Sequence, residues 1–180
     1  GISLFAFGFM DYALILMHIT KHMGHYGGLV TTGTLPLIYA GAMLVDAAAA
    51  VIFGHLFDKK GVGALVAATV AASPFAILVF YAESLPLLLL GVALWGVGMG
   101  AQESVLKAAV ATMVDKSARA TGYGIFECAF GVFWFMGSWL LGSLYDVNLG
   151  LMIAVSVVAQ LAAAPLFYLA AKAMESSAKG

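Results

Sequence analysis

Charge is what this chain has least of. Of its 180 residues, 9% are charged and 63% hydrophobic, with a mean hydropathy of +1.04. A soluble domain carries about 25% charged residues, so this composition excludes an ordinary water-soluble globule. Net charge is −1, and no basic cluster is dense enough to hold nucleic acid. Cysteine is reduced to Cys128, which rules out an intrachain disulfide and carries no information on redox compartment. There is no initiator Met and no basic n-region ahead of the first apolar run, so no signal peptide is visible. The chain reads as a fragment of a longer protein.

What it does have is six long apolar runs, each supplying the roughly 20 residues that a bilayer core requires of a helix. They predict helices over about 1–20, 34–57, 62–81, 87–114, 120–144 and 150–171. The expected fold is all-α, a polytopic membrane bundle over residues 1–173 with a polar, disordered tail over 174–180. Pro36 and Pro86 fall in the first turns of the second and fourth helices, where a missing N–H costs nothing, and Ser84 stands as an N-cap. Pro74 lies inside the third helix and Asp11 inside the first. Lys59, Lys60, Lys116, Arg119, Lys172 and Lys179 fall on one side of the bilayer and Lys21 on the other. By the positive-inside rule the crowded side, with the 58–61 turn and the C-terminus, is expected to be cytoplasmic.

Two short stretches echo each other. Gly54-His-Leu-Phe-Asp58 closes the second helix and Gly142-Ser-Leu-Tyr-Asp146 closes the fifth, both reading Gly-x-Leu-aromatic-Asp. Three spans separate them, so the copies face opposite sides, as a 3+3 inverted-topology repeat requires. The stretch Gly54-x-x-x-Asp58-Lys59-x-Gly61 resembles the G-x-x-x-D-[RK]-x-G-[RK]-[RK] loop of the major facilitator superfamily of secondary transporters. That family carries it on the cytoplasmic side after the second helix of each half. Val62 and Gly63 stand where the family often has two further basic residues.

Gly98-Met-Gly-Ala-Gln-Glu-Ser104, Arg119-Ala-Thr-Gly-Tyr-Gly-Ile-Phe126 and Gly137-Ser-Trp-Leu-Leu-Gly-Ser-Leu-Tyr-Asp146 look like the tenth and eleventh helices of bacterial members. The similarity covers nearly the whole chain and matches the C-terminal six-helix half of a twelve-helix carrier. It implies that the first, second, fourth and fifth helices border a central cavity. Asp11, Asp46, Gln102 and Glu127 would then meet the substrate or coupling ion.

Depth points to the same carboxylates. An ionisable group in hydrocarbon costs several kcal/mol unless it is paired or faces water. Asp11 lies roughly 13 Å into the first helix at 1.5 Å per residue, and Asp46 lies near the midplane of the second. At similar depth on consecutive helices the two could border one polar cavity, or each could be held by a neighbouring hydroxyl or amide and only position helices. Gln102, Glu103 and Lys107 sit toward the cytoplasmic end of the fourth helix, with Glu103 and Lys107 able to pair at i, i+4. With Glu127, about two turns into the fifth helix from the same side, they form either a satisfied ion-pair cluster or a cytoplasmic gate in which Asp58 and Lys59 join Glu103, Lys107 and Glu127. Trp95 and Trp134 could line a substrate path or be ordinary packing residues. Gly96-x-x-x-Gly100 in the fourth helix, Ala42, Asp46, Ala50 and Gly54 in the second, and Gly131, Gly137, Ser138 and Gly142 in the fifth mark close helix contacts. His18, His22 and His25, at i, i+4, i+7, are a weak metal-ligand set with no fourth partner nearby.

The expected function is secondary active transport of a small solute by alternating access, with proton coupling through Asp11 or Asp46. Its partners would be the bilayer, the solute and a missing N-terminal six-helix bundle or a second copy, with no cofactor. Symport and antiport are both open. The rival readings are a scaffold or sensor that keeps the fold, and a cation carrier using the histidine face. An intramembrane serine protease is disfavoured, because the histidines lie near helix ends and no G-x-S-x-G occurs.

Overall fold

Apolar runs of this length leave the backbone no water to bond with, so every stretch that crosses hydrocarbon must close its own hydrogen bonds as helix. The computed structural model describes residues 1–177, without the side chains of Met113 and 174–177. Its helices are α1 (Ile2–Gly8), α2 (Tyr12–Lys21), α3 (Leu35–Lys60), α4 (Gly63–Ala72), α5 (Phe75–Phe80), α6 (Leu85–Met113), α7 (Arg119–Val147) and α8 (Leu149–Ser177), with a 3₁₀ turn at Met23–Tyr26. α1 continues into α2 and α4 into α5, giving six units long and apolar enough to cross a bilayer. No strand occurs among the described residues.

The first unit is not the continuous helix expected. Phe9 turns extended, with φ −86° and ψ 114°, and Asp11 restarts the helix as the N-cap of α2. Its carboxylate accepts the Ala13 N–H at 3.1 Å. Asp11 is thus an exposed cap and not an intrahelical charge. The break frees two carbonyls in the bundle, and other helices supply the donors. Gly8 O accepts from Ser156 Oγ at 2.7 Å and Gln160 Nε2 at 3.4 Å, and Met10 O accepts from Trp95 Nε1 at 2.9 Å.

The third unit breaks at Ser73–Pro74, where the proline has no N–H to give. Pro165, by contrast, lies inside an uninterrupted α8. That helix runs through Ser177, so the expected polar tail begins as a continuation of helix, and 178–180 lie outside the described residues.

Helices meet through glycine. A Cβ on Gly96 would lie 2.7 Å from Ala42 O, and one on Gly100 would overlap Asp46 O, so α3 and α6 touch backbone to backbone. Gly137 of α7 packs in the same way on Phe7 O of α1, and a Cβ on Gly8 would lie 2.7 Å from Ala159 Cβ of α8. In lipid, such approach replaces the hydrophobic drive that water gives a soluble core. Around the break, Phe9 stacks between Phe5 at 5.2 Å and Trp95 at 5.9 Å and meets Phe75 at 5.4 Å.

The main pairings are α3 with α6, α1 with α7 and with α8, α4 with α6 and with α8, and α5 with α6. α3 and α7 remain the most open: 17% of each apolar window is buried, against 56% for the first and third units. α3 ends at Gly61, whose φ of 56° and ψ of −145° favour a residue without Cβ. At the opposite end of the bundle, Lys21 bonds Asp146 at 3.3 Å and ties the first unit to the fifth.

Candidate functional site

α6 and α7 run antiparallel and carry their polar side chains toward each other near the end marked by Asp115 and Arg119. Between them lies a cleft of about 220 Å³ lined by Met99, Gln102, Glu103, Leu106, Lys107, Phe126, Glu127, Phe130, Gly131 and Trp134. It brings together five of the residues singled out from the sequence: Gln102, Glu103, Lys107, Glu127 and Trp134. Glu127 lies eight residues into α7, about 12 Å from its start at 1.5 Å per residue.

Gln102 is 5% exposed, and neither its Oε1 nor the buried Nε1 of Trp134 has a hydrogen-bond partner. A buried polar atom left unpaired costs about 1–3 kcal/mol, so this wall holds one acceptor and one donor in want of partners. Phe126, Phe130 and Trp134 form an aromatic ladder along α7, with centroids 6.4 Å and 5.7 Å apart. Glu103 and Lys107 are one turn apart, yet the Lys21–Asp146 pair is the sole ion pair among the described residues. The expected ion-pair cluster is therefore not formed here.

A second cleft, of about 370 Å³, opens toward the other end between the first unit and α7. Met10, Asp11, Ala13, Leu14, Met17, Ser138, Leu141, Gly142 and Asp146 line it. On α7 the two linings are one stripe. Glu127, Phe130, Gly131, Trp134, Ser138, Leu141, Gly142 and Asp146 recur at three- and four-residue steps, which keeps them on one helix face.

Asp46 stands apart from both clefts. It lies against Gly100 at the α3–α6 contact, half-buried, and its buried Oδ1 has no partner. Asp11 and Asp46 therefore do not border one cavity, contrary to the sequence expectation. Trp95 is buried too, its indole N–H committed to Met10 O, so it braces the helix break and lines neither cleft. Asp58 and Lys59 are exposed at the end of α3 and make no ion pair with Glu103, Lys107 or Glu127. A Cβ on Gly54 would meet nothing within 4 Å, so this glycine spaces no helix of this chain.

The histidines do not converge. His18 is buried with Nδ1 2.9 Å from the Tyr145 hydroxyl, and His22 Nδ1 bonds His18 O at 2.9 Å. Their rings pack in series, His18 on His22 at 4.2 Å and His22 on His25 at 5.3 Å. Among the described residues no three His, Cys, Asp or Glu side chains could hold a metal ion together.

Sequence reasoning missed Ser156 and Gln160. Their spacing of four in an otherwise apolar helix is a readable sign of an inward polar face.

Comparison with known proteins places the chain beside uncharacterized ones. It is 29% identical over 161 residues to the uncharacterized proteins Rv2265 of Mycobacterium tuberculosis and Mb2288 of Mycobacterium bovis, across 89% of this chain. The matched region spans 38% of the length of each of those relatives. No family model matches the chain. No solved structure matches it either.

Proposed function

We propose that this chain is one six-helix half of a secondary active transporter of the major facilitator kind. It moves a small solute by alternating access across a bacterial or archaeal plasma membrane, with the 58–61 turn cytoplasmic. The observation that carries this reading is the stripe along α7. One helix face joins a cleft near one end of the bundle to a second near the other, with carboxylates in both and Trp134 and Ser138 between them. A scaffold has no need of ionisable groups such as Glu103, Lys107 and Glu127 within two spans, because each is costly in hydrocarbon.

Helix pairing supports the 3+3 repeat. Exchanging the first unit with the fourth, the second with the fifth and the third with the sixth maps the α3–α6 contact onto α1–α7. It also maps α1–α8 onto α4–α6, and leaves α4–α8 as its own image. The open faces of α3 and α7 suit a second bundle, N-terminal in the same protein or a second copy. More than half of each mycobacterial relative lies outside the matched region, which leaves room for one. Asp46, unpaired and remote from both clefts, suits a coupling proton better than solute contact.

Uptake by the full-length protein in proteoliposomes tests both parts. Substrate-dependent uptake is expected, with a pH dependence that Asp46→Asn flattens. Unchanged pH dependence would reject Asp46 as the coupling site, and no uptake of any solute that thermally stabilises the protein would favour a sensor or scaffold.

A further inference from the structure

From the α6–α7 cleft we infer the chemical class of the solute: a primary or secondary amine with an aromatic body and a hydrogen-bond acceptor at its far end. This rests on the transporter reading above, with this cleft as the place where the solute binds. The wall carries two carboxylates, Glu103 and Glu127, and one ammonium, Lys107, so its formal charge is −1. Lys107 can offset one carboxylate and leaves the other for a ligand cation. Beside them stands Gln102, 5% exposed, its Oε1 an acceptor without a donor. An ammonium brings N–H donors to a carboxylate and to that amide oxygen at once, and charge-assisted bonds of this kind are the strong ones.

Two turns along the same face, about 10 Å from Glu127 at 1.5 Å per residue, Trp134 Nε1 is a donor without an acceptor. Phe130 stands between, flanked by Phe126 and Trp134. A flat aromatic body fits that interval, and a phenol or ether oxygen at its end satisfies the indole. An anion would meet two carboxylates. A neutral hydrocarbon would leave both unpaired atoms as they are.

The test is a titration of tyramine, 2-phenylethylamine and 4-hydroxyphenylacetate into the full-length protein in lipid nanodiscs, followed by calorimetry. Tyramine should bind, 2-phenylethylamine about tenfold more weakly for want of its oxygen, and the anion not at all. Glu127→Gln should weaken tyramine about tenfold or more. Trp134→Phe should reduce tyramine to the affinity of 2-phenylethylamine and leave the latter unchanged. Binding of 4-hydroxyphenylacetate as tightly as tyramine, or indifference of tyramine to both Glu127→Gln and Glu103→Gln, would overturn the assignment. Glu103 and Glu127 are exposed, so these variants should keep the melting temperature. Uptake separates the two levels of inference. Tyramine bound but never transported keeps the ligand class and removes the transporter. Uptake of an anion with no tyramine binding does the reverse.

Discussion

Met10 offers a backbone carbonyl inside the bundle because the helix stops at Gly8, two residues earlier, and Trp95 answers it at 2.9 Å. Trp95→Phe keeps a ring against Phe9 and Tyr12 and removes only the donor. The expected loss is about 1–3 kcal/mol, read as a lower unfolding midpoint in detergent; an unchanged midpoint would mean that the carbonyl has another donor.

The sequence made Trp95 a site candidate on depth alone, and depth does not say which way an indole faces. It failed on Asp11 for a related reason. Phe9 and Met10 continue the apolar run with no proline, and the run resumes at Tyr12, so hydropathy overrides the N-cap signal of Asp11. Gln102, Glu103, Lys107 and Glu127 were legible as a polar group toward one end of two spans, and Trp134 as a separate candidate, because polar groups stand out against hydrocarbon. Their meeting in one cleft depends on how α6 and α7 pack, which no local pattern encodes.

Among the elements, α6 and α7 are held at close approach by glycine, as α1 is on α8. Gly100→Ala drives a methyl into Asp46 O, and Gly137→Ala drives one into Phe7 O. Each is expected to destabilise the bundle by about 1–3 kcal/mol, as overpacking does, and thermal unfolding will register it. Gly54→Ala and Gly142→Ala meet nothing within 4 Å. Those variants should hold or raise stability, since alanine is the better helix former by about 1 kcal/mol. If α3 and α7 face a second bundle, they should nonetheless slow uptake; unaltered uptake would argue that both glycines face lipid. The six spans were readable because length and apolarity suffice for them. The interruption at Ser73 follows from Pro74, whereas Pro165 interrupts nothing, so proline alone is an imperfect guide to breaks in hydrocarbon, where neighbouring helices decide whether a freed group is answered.

At the scale of the molecule, α3 and α7 carry broad uncovered surfaces, with Leu44 and Ile52 on one and Ile125, Phe135 and Trp139 on the other. Cys128, exposed next to Glu127 on α7, reports what lies over that side. A membrane-impermeant maleimide is expected to modify it in the full-length protein. Complete resistance to the reagent would place this side of α7 in lipid and count against an aqueous crevice.

The seam at Gly8 has a consequence for biogenesis. Its carbonyl is answered by Ser156, 148 positions downstream, so the acceptor is synthesised well before the donor that it meets in the bundle. At 5–20 residues per second the wait is roughly 7–30 s. During it this segment needs water, lipid headgroups, the insertion machinery or another part of the protein as a temporary partner, and settling of the Gly8 seam must follow emergence of α8.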